Sequence, residues 1–206
     1  MDCAIRKKIG WAAYRGPFET FDCWWSLSSM SVRIPSHLKE RFDALQSMPV
    51  ASSLPPPWSG PTSIAVGGLT DVGFRDSSDL LMCISSTGRG VIDCLAGSKI
   101  ARDDSDELAF DLGNLLAAGI GPLADAQIRT AGLAGGGLPS GTQDGWSAQR
   151  HPFAFPDEQL FVAPPGQTML WTRCGEEMRL TKLGGFVTEL RAFGFSPTGR
   201  SFVIAT

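Results

Sequence analysis

Val72-Gly73-Phe74-Arg75-Asp76-Ser77-Ser78-Asp79-Leu80-Leu81-Met82-Cys83-Ile84 and Phe193-Gly194-Phe195-Ser196-Pro197-Thr198-Gly199-Arg200-Ser201-Phe202-Val203-Ile204-Ala205 are two copies of one pattern, set 121 residues apart. Each reads as a strand, a tight polar turn and a second strand. Gly73 aligns with Gly194, Phe74 with Phe195, and the apolar run Leu81 to Ile84 with Phe202 to Ala205. Leu69 and Leu190 precede the two glycines by the same four positions. The pattern predicts two β-hairpins in equivalent settings, each burying its phenylalanine.

The rest of the chain agrees with a mainly β fold built from antiparallel sheets. Ser63 to Leu69, Asp71 to Phe74, Leu80 to Ser85, Gly90 to Leu95 and Lys99 to Arg102 are short segments divided by polar or glycine turns. That rhythm is the signature of antiparallel pairing. Gly88 and Gly97 supply the positive φ that hairpin turns demand. Further strands are expected near residues 145–150, 159–162, 169–173 and 185–190, with a glycine-rich loop from Gly132 to Gly141. Residues 108–118, rich in Leu and Ala behind an acidic run, predict a short helix, since carboxylates favour the positive end of a helix.

Upstream, Leu38, Phe42 and Leu45 fall at helical spacing with polar residues between them, so an amphipathic helix is expected within residues 30–48, with Ser36 as its N-cap. Residues 49–62 carry Pro55, Pro56, Pro57 and Pro61 and read as a stiff spacer, because proline lacks the amide hydrogen and fixes φ. A polyproline stretch is also the kind of ligand that small aromatic grooves bind. Residues 63–206 then form the β-rich domain. Met30 to Ile34 before Pro35 resembles an ordinary protein start, so residues 1–29, with Trp11, Trp24 and Trp25 in no periodic order, read as an arm outside the fold.

Composition narrows the function. With 206 residues, net charge −3 and 19% charged residues, the chain offers no basic face for a polyanion, and no nucleic acid is expected as partner. No stretch reaches the roughly 20 apolar residues needed to span a bilayer, and no secretory h-region opens the chain, so a soluble cytoplasmic protein without a membrane partner is expected. The five cysteines form no C-x-x-C pair, and Cys83 and Cys94 sit in strand-like runs where the thiol behaves as a small hydrophobe, although a disulfide between them remains geometrically open.

The second copy, from Gly194 to Ala205, resembles the inner strand pair of WD40-like and TolB-like β-propeller blades, in which an aromatic-Ser-Pro-Asp-Gly-Arg turn joins two strands. The chain as a whole is similar to a bacterial group carrying such blade-like hairpins, a resemblance that implies no activity. A complete propeller is not expected, because blades repeat every 40 to 50 residues or so and no copy stands between the two.

The chemistry-bearing residues are few. Gly119-Ile120-Gly121-Pro122-Leu123-Ala124 satisfies G-x-G-x-x-[G/A], but a dinucleotide site also needs a strand before it and a helix after it within a parallel sheet, so a turn is expected. The acidic run Asp103 to Glu107 lacks the glycine and distal glutamate of a calcium loop. No metal and no cofactor are expected. One alternative is a small hydrolase, with His151 as general base, Ser147 or Cys174 as nucleophile and Asp144 orienting the imidazole. The favoured expectation is a non-catalytic interaction module of regulatory or immunity type. It would bind a protein partner through Gly135, Gly136, Trp146, Phe153 and Phe155, where rigid rings beside glycine loops offer contact area at low entropic cost.

Overall fold

The computed structural model describes residues 2–3, 35–58, 61–105, 110–154, 157–171, 177–184 and 190–206, with side chains throughout except at 2–3, 152–154 and 157–158. In chain order the strands are β1 (Asp2–Cys3), β2 (Pro61–Thr62), β3 (Leu69–Phe74), β4 (Leu80–Ser85), β5 (Gly88–Asp93), β6 (Ser98–Asp103), β7 (Phe110–Asp111), β8 (Leu116–Ala118), β9 (Gln127–Arg129), β10 (Ala131–Gly132), β11 (Ser147–Ala154), β12 (Asp157–Ala163), β13 (Thr181–Leu183), β14 (Ala192–Phe195) and β15 (Phe202–Ala205). Among the described residues one α-helix, α1 (Lys39–Ser47), precedes all but the first of them. The protein is mainly β and antiparallel, as the sequence predicts, and the described sheets form no closed barrel or propeller.

The first copy of the repeat opens an antiparallel meander, β3 to β6, with β10 added beside β3. Its central strand β4 is apolar on both faces, so it must be covered twice. Leu81 and Cys83 face one cluster with Val72, Phe74 and Ile92. Met82 and Ile84 face another, closed by Ala117 and Ile128 of the small β7-β8-β9 sheet and by Leu123 of the turn between β8 and β9. β6 is the open edge, and it is blunted: Ile100 is an extra bulged residue in the β5–β6 register, flanked by exposed Lys99 and Arg102.

The second copy forms the two-stranded hairpin β14–β15, whose strands are buried on both faces. Ala192, Val203 and Ala205 join the cluster on the five-stranded sheet. Phe195, Phe202 and Ile204 join a separate cluster with Leu160, Val162 and Leu183 of the β11-β12-β13 sheet. The hairpin is thus the layer between the two larger sheets. On the far side of β12, Phe161 and Ala163 meet Leu45 of α1.

The predicted pairing of the two motifs holds in detail. Phe74 and Phe195 are 7% and 0% exposed and stand opposite Leu81 and Phe202 at the ends of their strands. The turns close with equivalent hydrogen bonds, Arg75 N–H to Leu80 C=O at 3.2 Å and Ser196 N–H to Ser201 C=O at 2.9 Å. The two glycines have one cause. A Cβ on Gly73 would land on the Arg129 carbonyl oxygen and Ile128, and one on Gly194 would meet Leu138 and the Pro139 carbonyl oxygen. Each marks the spot where another backbone segment crosses the hairpin.

Other expectations are corrected. The helix starts as a 3-10 turn at Ser36 behind Pro35, and Ser36 makes no capping bond. Its last carbonyls are instead held by Lys182, whose Nζ donates to Leu45 O at 3.3 Å and Gln46 O at 2.8 Å, a cation at the negative helix end. Residues 51–58, part of the stretch expected as a stiff spacer, pack against the fold. Trp58 is 3% exposed, and Ala51 and Leu54 pack on the same cluster, so the helical segment and the β region share cores across the expected boundary. The expected helix near 108–118 is the β7–β8 hairpin in its described part, because Asp111 accepts from Asn114 N–H and its side-chain amide and stabilises a turn instead. Residues 63–66 form no strand, and Met169 lies in a turn closed between Thr168 and Trp171. The G-x-G-x-x-A segment forms a 3-10 turn after the antiparallel strand β8, as a turn reading requires. Cys83 and Cys94 are both buried, with no disulfide between them. In the N-terminal arm only Asp2–Cys3 is described, paired in parallel with Pro61–Thr62, and the remainder of residues 1–29 lies outside the described residues.

Candidate functional site

Where the turn of the second hairpin meets the loop before β11, the surface folds into a groove of about 480 Å³ lined by Pro57, Leu95, Thr142, Gln143, Asp144, Thr198, Gly199 and Arg200. Both contributing turns are stiff for local reasons. Thr142 N–H donates to Trp146 C=O at 2.9 Å, Thr142 Oγ1 accepts from Trp146 N–H at 3.0 Å, and Gly145 takes φ of 94° to close the loop. Thr142 also donates through its hydroxyl to Asp144. In the opposite wall, Gly199 sits at φ of 73° and its N–H donates to Ser196 C=O at 2.9 Å. Arg200 N–H is held by Thr198 Oγ1 at 3.2 Å.

The second wall is tied to the first hairpin by a buried carboxyl group. Asp79, 7% exposed, accepts from Thr198 Oγ1 at 2.7 Å and from Ser201 Oγ at 2.8 Å. Ser196 Oγ accepts from Ser201 N–H at 3.1 Å and lies 3.1 Å from Thr198 Oγ1, which completes the network. The carboxyl group that the first turn contributes is therefore received by two hydroxyls of the second, Thr198 at the position of Ser77 and Ser201 at that of Leu80. Beneath the groove, Trp58 lies between Trp146, ring centroids 5.0 Å apart and edge-on, and Phe195 at 5.2 Å. Its indole N–H donates to Gly199 C=O at 3.1 Å.

Of the residues expected to act, the structure unites only some. Asp144 is exposed in the groove wall, and Trp146 is half-buried beneath it, packed on the core rather than displayed. Gly135 and Gly136 are exposed at φ of 106° and 80°, but their loop is bound to β3, through Leu133 N–H to Thr70 O and Ala134 N–H to Asp71, and neither lines the groove. The Phe153 side chain, Phe155 and Cys174 lie outside the described residues.

Ser147 and His151 do not form a base and nucleophile pair. They stand four residues apart in continuous β11, opposite Ala163 and Gln159 respectively, and at about 3.3 Å per residue their Cα atoms are separated by about 13 Å. Ser147 Oγ is buried without a hydrogen-bond partner among the described residues. His151 packs against Phe42 with ring centroids 5.0 Å apart, and burial pushes its pKa below the ordinary 6.5. No group of three or more metal-ligating side chains occurs among the described residues. No helix among them is long and apolar enough to cross a membrane.

Sequence reasoning missed Thr198, Gly199 and Arg200 as site residues, although the repeated turn contained them, and missed Pro57 because a proline run reads as a connector. No family model, curated protein or solved structure matches the chain.

Proposed function

We propose that the protein is a non-catalytic interaction module, soluble and cytoplasmic, of regulatory or immunity type, that binds a protein partner through the groove between the Thr142–Gly145 loop and the second hairpin turn. The observation that supports this is the groove itself: a carboxyl group, a guanidinium, a primary amide and hydroxyls on loops that a rigid sheet scaffold holds in place, the usual division between framework and binding loops. Another cavity, of about 500 Å³ over β4 to β6, is a poorer candidate. Its cations already serve the fold, Lys99 donating to Ala65 O at 2.6 Å and Arg102 to Thr87 O at 2.7 Å.

The experiment is affinity capture with the purified chain as bait. A stoichiometric partner retained by wild type and by Ser105→Lys, beyond the end of β6 away from Leu95, but lost with the double variant Asp144→Arg, Arg200→Glu, is the expected result. Equal retention by the double variant sinks the groove, and an esterase or peptidase activity of the purified chain sinks the non-catalytic reading.

A further inference from the structure

The packing of residues 51–58 is that of a ligand more than of a connector. Three side chains, Ala51, Leu54 and Trp58, reach into one cluster, while Ser52, Ser53, Pro56 and Pro57 stay exposed. The segment makes a turn closed by Trp58 N–H to Pro55 C=O at 3.2 Å, with proline stiffening that leaves little chain entropy to lose on binding. It is fastened at its two ends, Ala51 N–H to Lys182 O at 2.8 Å and the Trp58 indole to Gly199 O at 3.1 Å. A tryptophan anchor with one directional hydrogen bond, inserted between aromatic rings, is how a recognition pocket holds a peptide. Pro57 also forms part of the groove wall, so the slot opens directly onto the proposed partner surface.

We infer that the slot between Trp146 and Phe195 is a recognition site for proline-rich turns ending in tryptophan. The chain's own residues 54–58 hold it in cis, and a partner segment of the same chemistry enters by displacing them. This rests on the interaction-module reading and names the class of partner. The groove beyond Pro57 then receives the residues that flank the incoming turn. Chain connectivity gives the cis segment an effective concentration on the order of millimolar, so the site is silent toward weak competitors and opens only to a partner that also fills the groove.

The test uses the full chain and a synthetic peptide of residues 51–60. With Trp58→Ala in the protein, the peptide should bind saturably and at least tenfold tighter than to wild type, and a Trp58→Ala peptide should not bind. Trp58→Phe, which keeps a ring and loses the indole donor, should fall between, and it decides the matter if Trp58→Ala does not fold. In wild type, the Trp58 indole N–H resonance should divide into held and released signals as the peptide reaches the order of millimolar. Folded variants that ignore the peptide, binding that does not need its tryptophan, or a wild-type indole signal unmoved at that concentration would overturn the inference. Peptide binding by Trp58→Ala, alongside a lysate partner indifferent to Asp144→Arg, Arg200→Glu, would keep the slot and remove the groove reading.

Discussion

The two hairpins share a register and a glycine, yet β3–β4 lies inside a five-stranded sheet while β14–β15 stands alone between two larger ones. What they share is imposed by packing: a ring at the strand end, an apolar second strand, and a glycine where another backbone crosses. What they do not share is in the turns. The first places Asp79 inward and takes its left-handed residue at Ser77, whereas the second places hydroxyls inward and takes it at Gly199. A repeated motif here fixes the frame, and its divergence at the turn makes the copies dock on each other instead of merely stacking.

The comparison can be pressed hardest at the rings. Phe195→Ala should cost about 3–5 kcal/mol, because the ring is fully enclosed and packs on both Phe202 and Trp58, and Phe74→Ala should fall at the lower end of that range. Urea midpoints check this, and a smaller loss at Phe195 than at Phe74 breaks the claim that the second hairpin is the central layer.

Next come the glycines. Gly73→Ala and Gly194→Ala should each cost about 3 kcal/mol, since the obstacle is largely backbone that cannot rotate aside. If thermal unfolding finds one of them neutral, the shared cause assigned to the pair fails. At the junction, Asp79→Ala strips the fully buried Ser201 hydroxyl of its acceptor and should cost on the order of 1–3 kcal/mol. Ser201→Ala in the same background should then add little, so a double-mutant cycle with no coupling energy would show that the turns merely touch.

The smallest effect lies outside both hairpins. Burial depresses the His151 value in the folded state, so as pH falls the unfolded chain takes up that proton first. Its contribution is fully present above about pH 6.5 and is lost as pH drops from there toward the folded-state value. Denaturation at about pH 7.5 and at about pH 5.5 should show a slope that His151→Gln flattens, and an unchanged slope would place the titrating group elsewhere.

Strands whose residues alternate or run apolar between turn residues were legible, as Leu80 to Ser85 and Phe202 to Ala205 show. So was the helix around Phe42 and Leu45, through its spacing. Illegible were features created by distant pairing. Trp58 sits among prolines with no period to betray a core residue, and its partners Trp146 and Gly199 lie far along the chain. Residues 108–118 looked helical by Leu and Ala content, but the decisive bonds were short-range ones from Asp111 to Asn114. The groove is assembled from four separate loops, so no local pattern could announce it.

Lys182 holds the end of α1 through Gln46, which stands 136 residues before it. During synthesis at roughly 5–20 residues per second, on the order of ten seconds pass between the ribosome releasing that helix and releasing its cap. This early helix is therefore among the last elements to be secured. Until the final third of the chain emerges, Phe42, Leu45 and Trp58 have no surface to cover, and nascent chains stalled before residue 182 should expose them to chaperones and proteases.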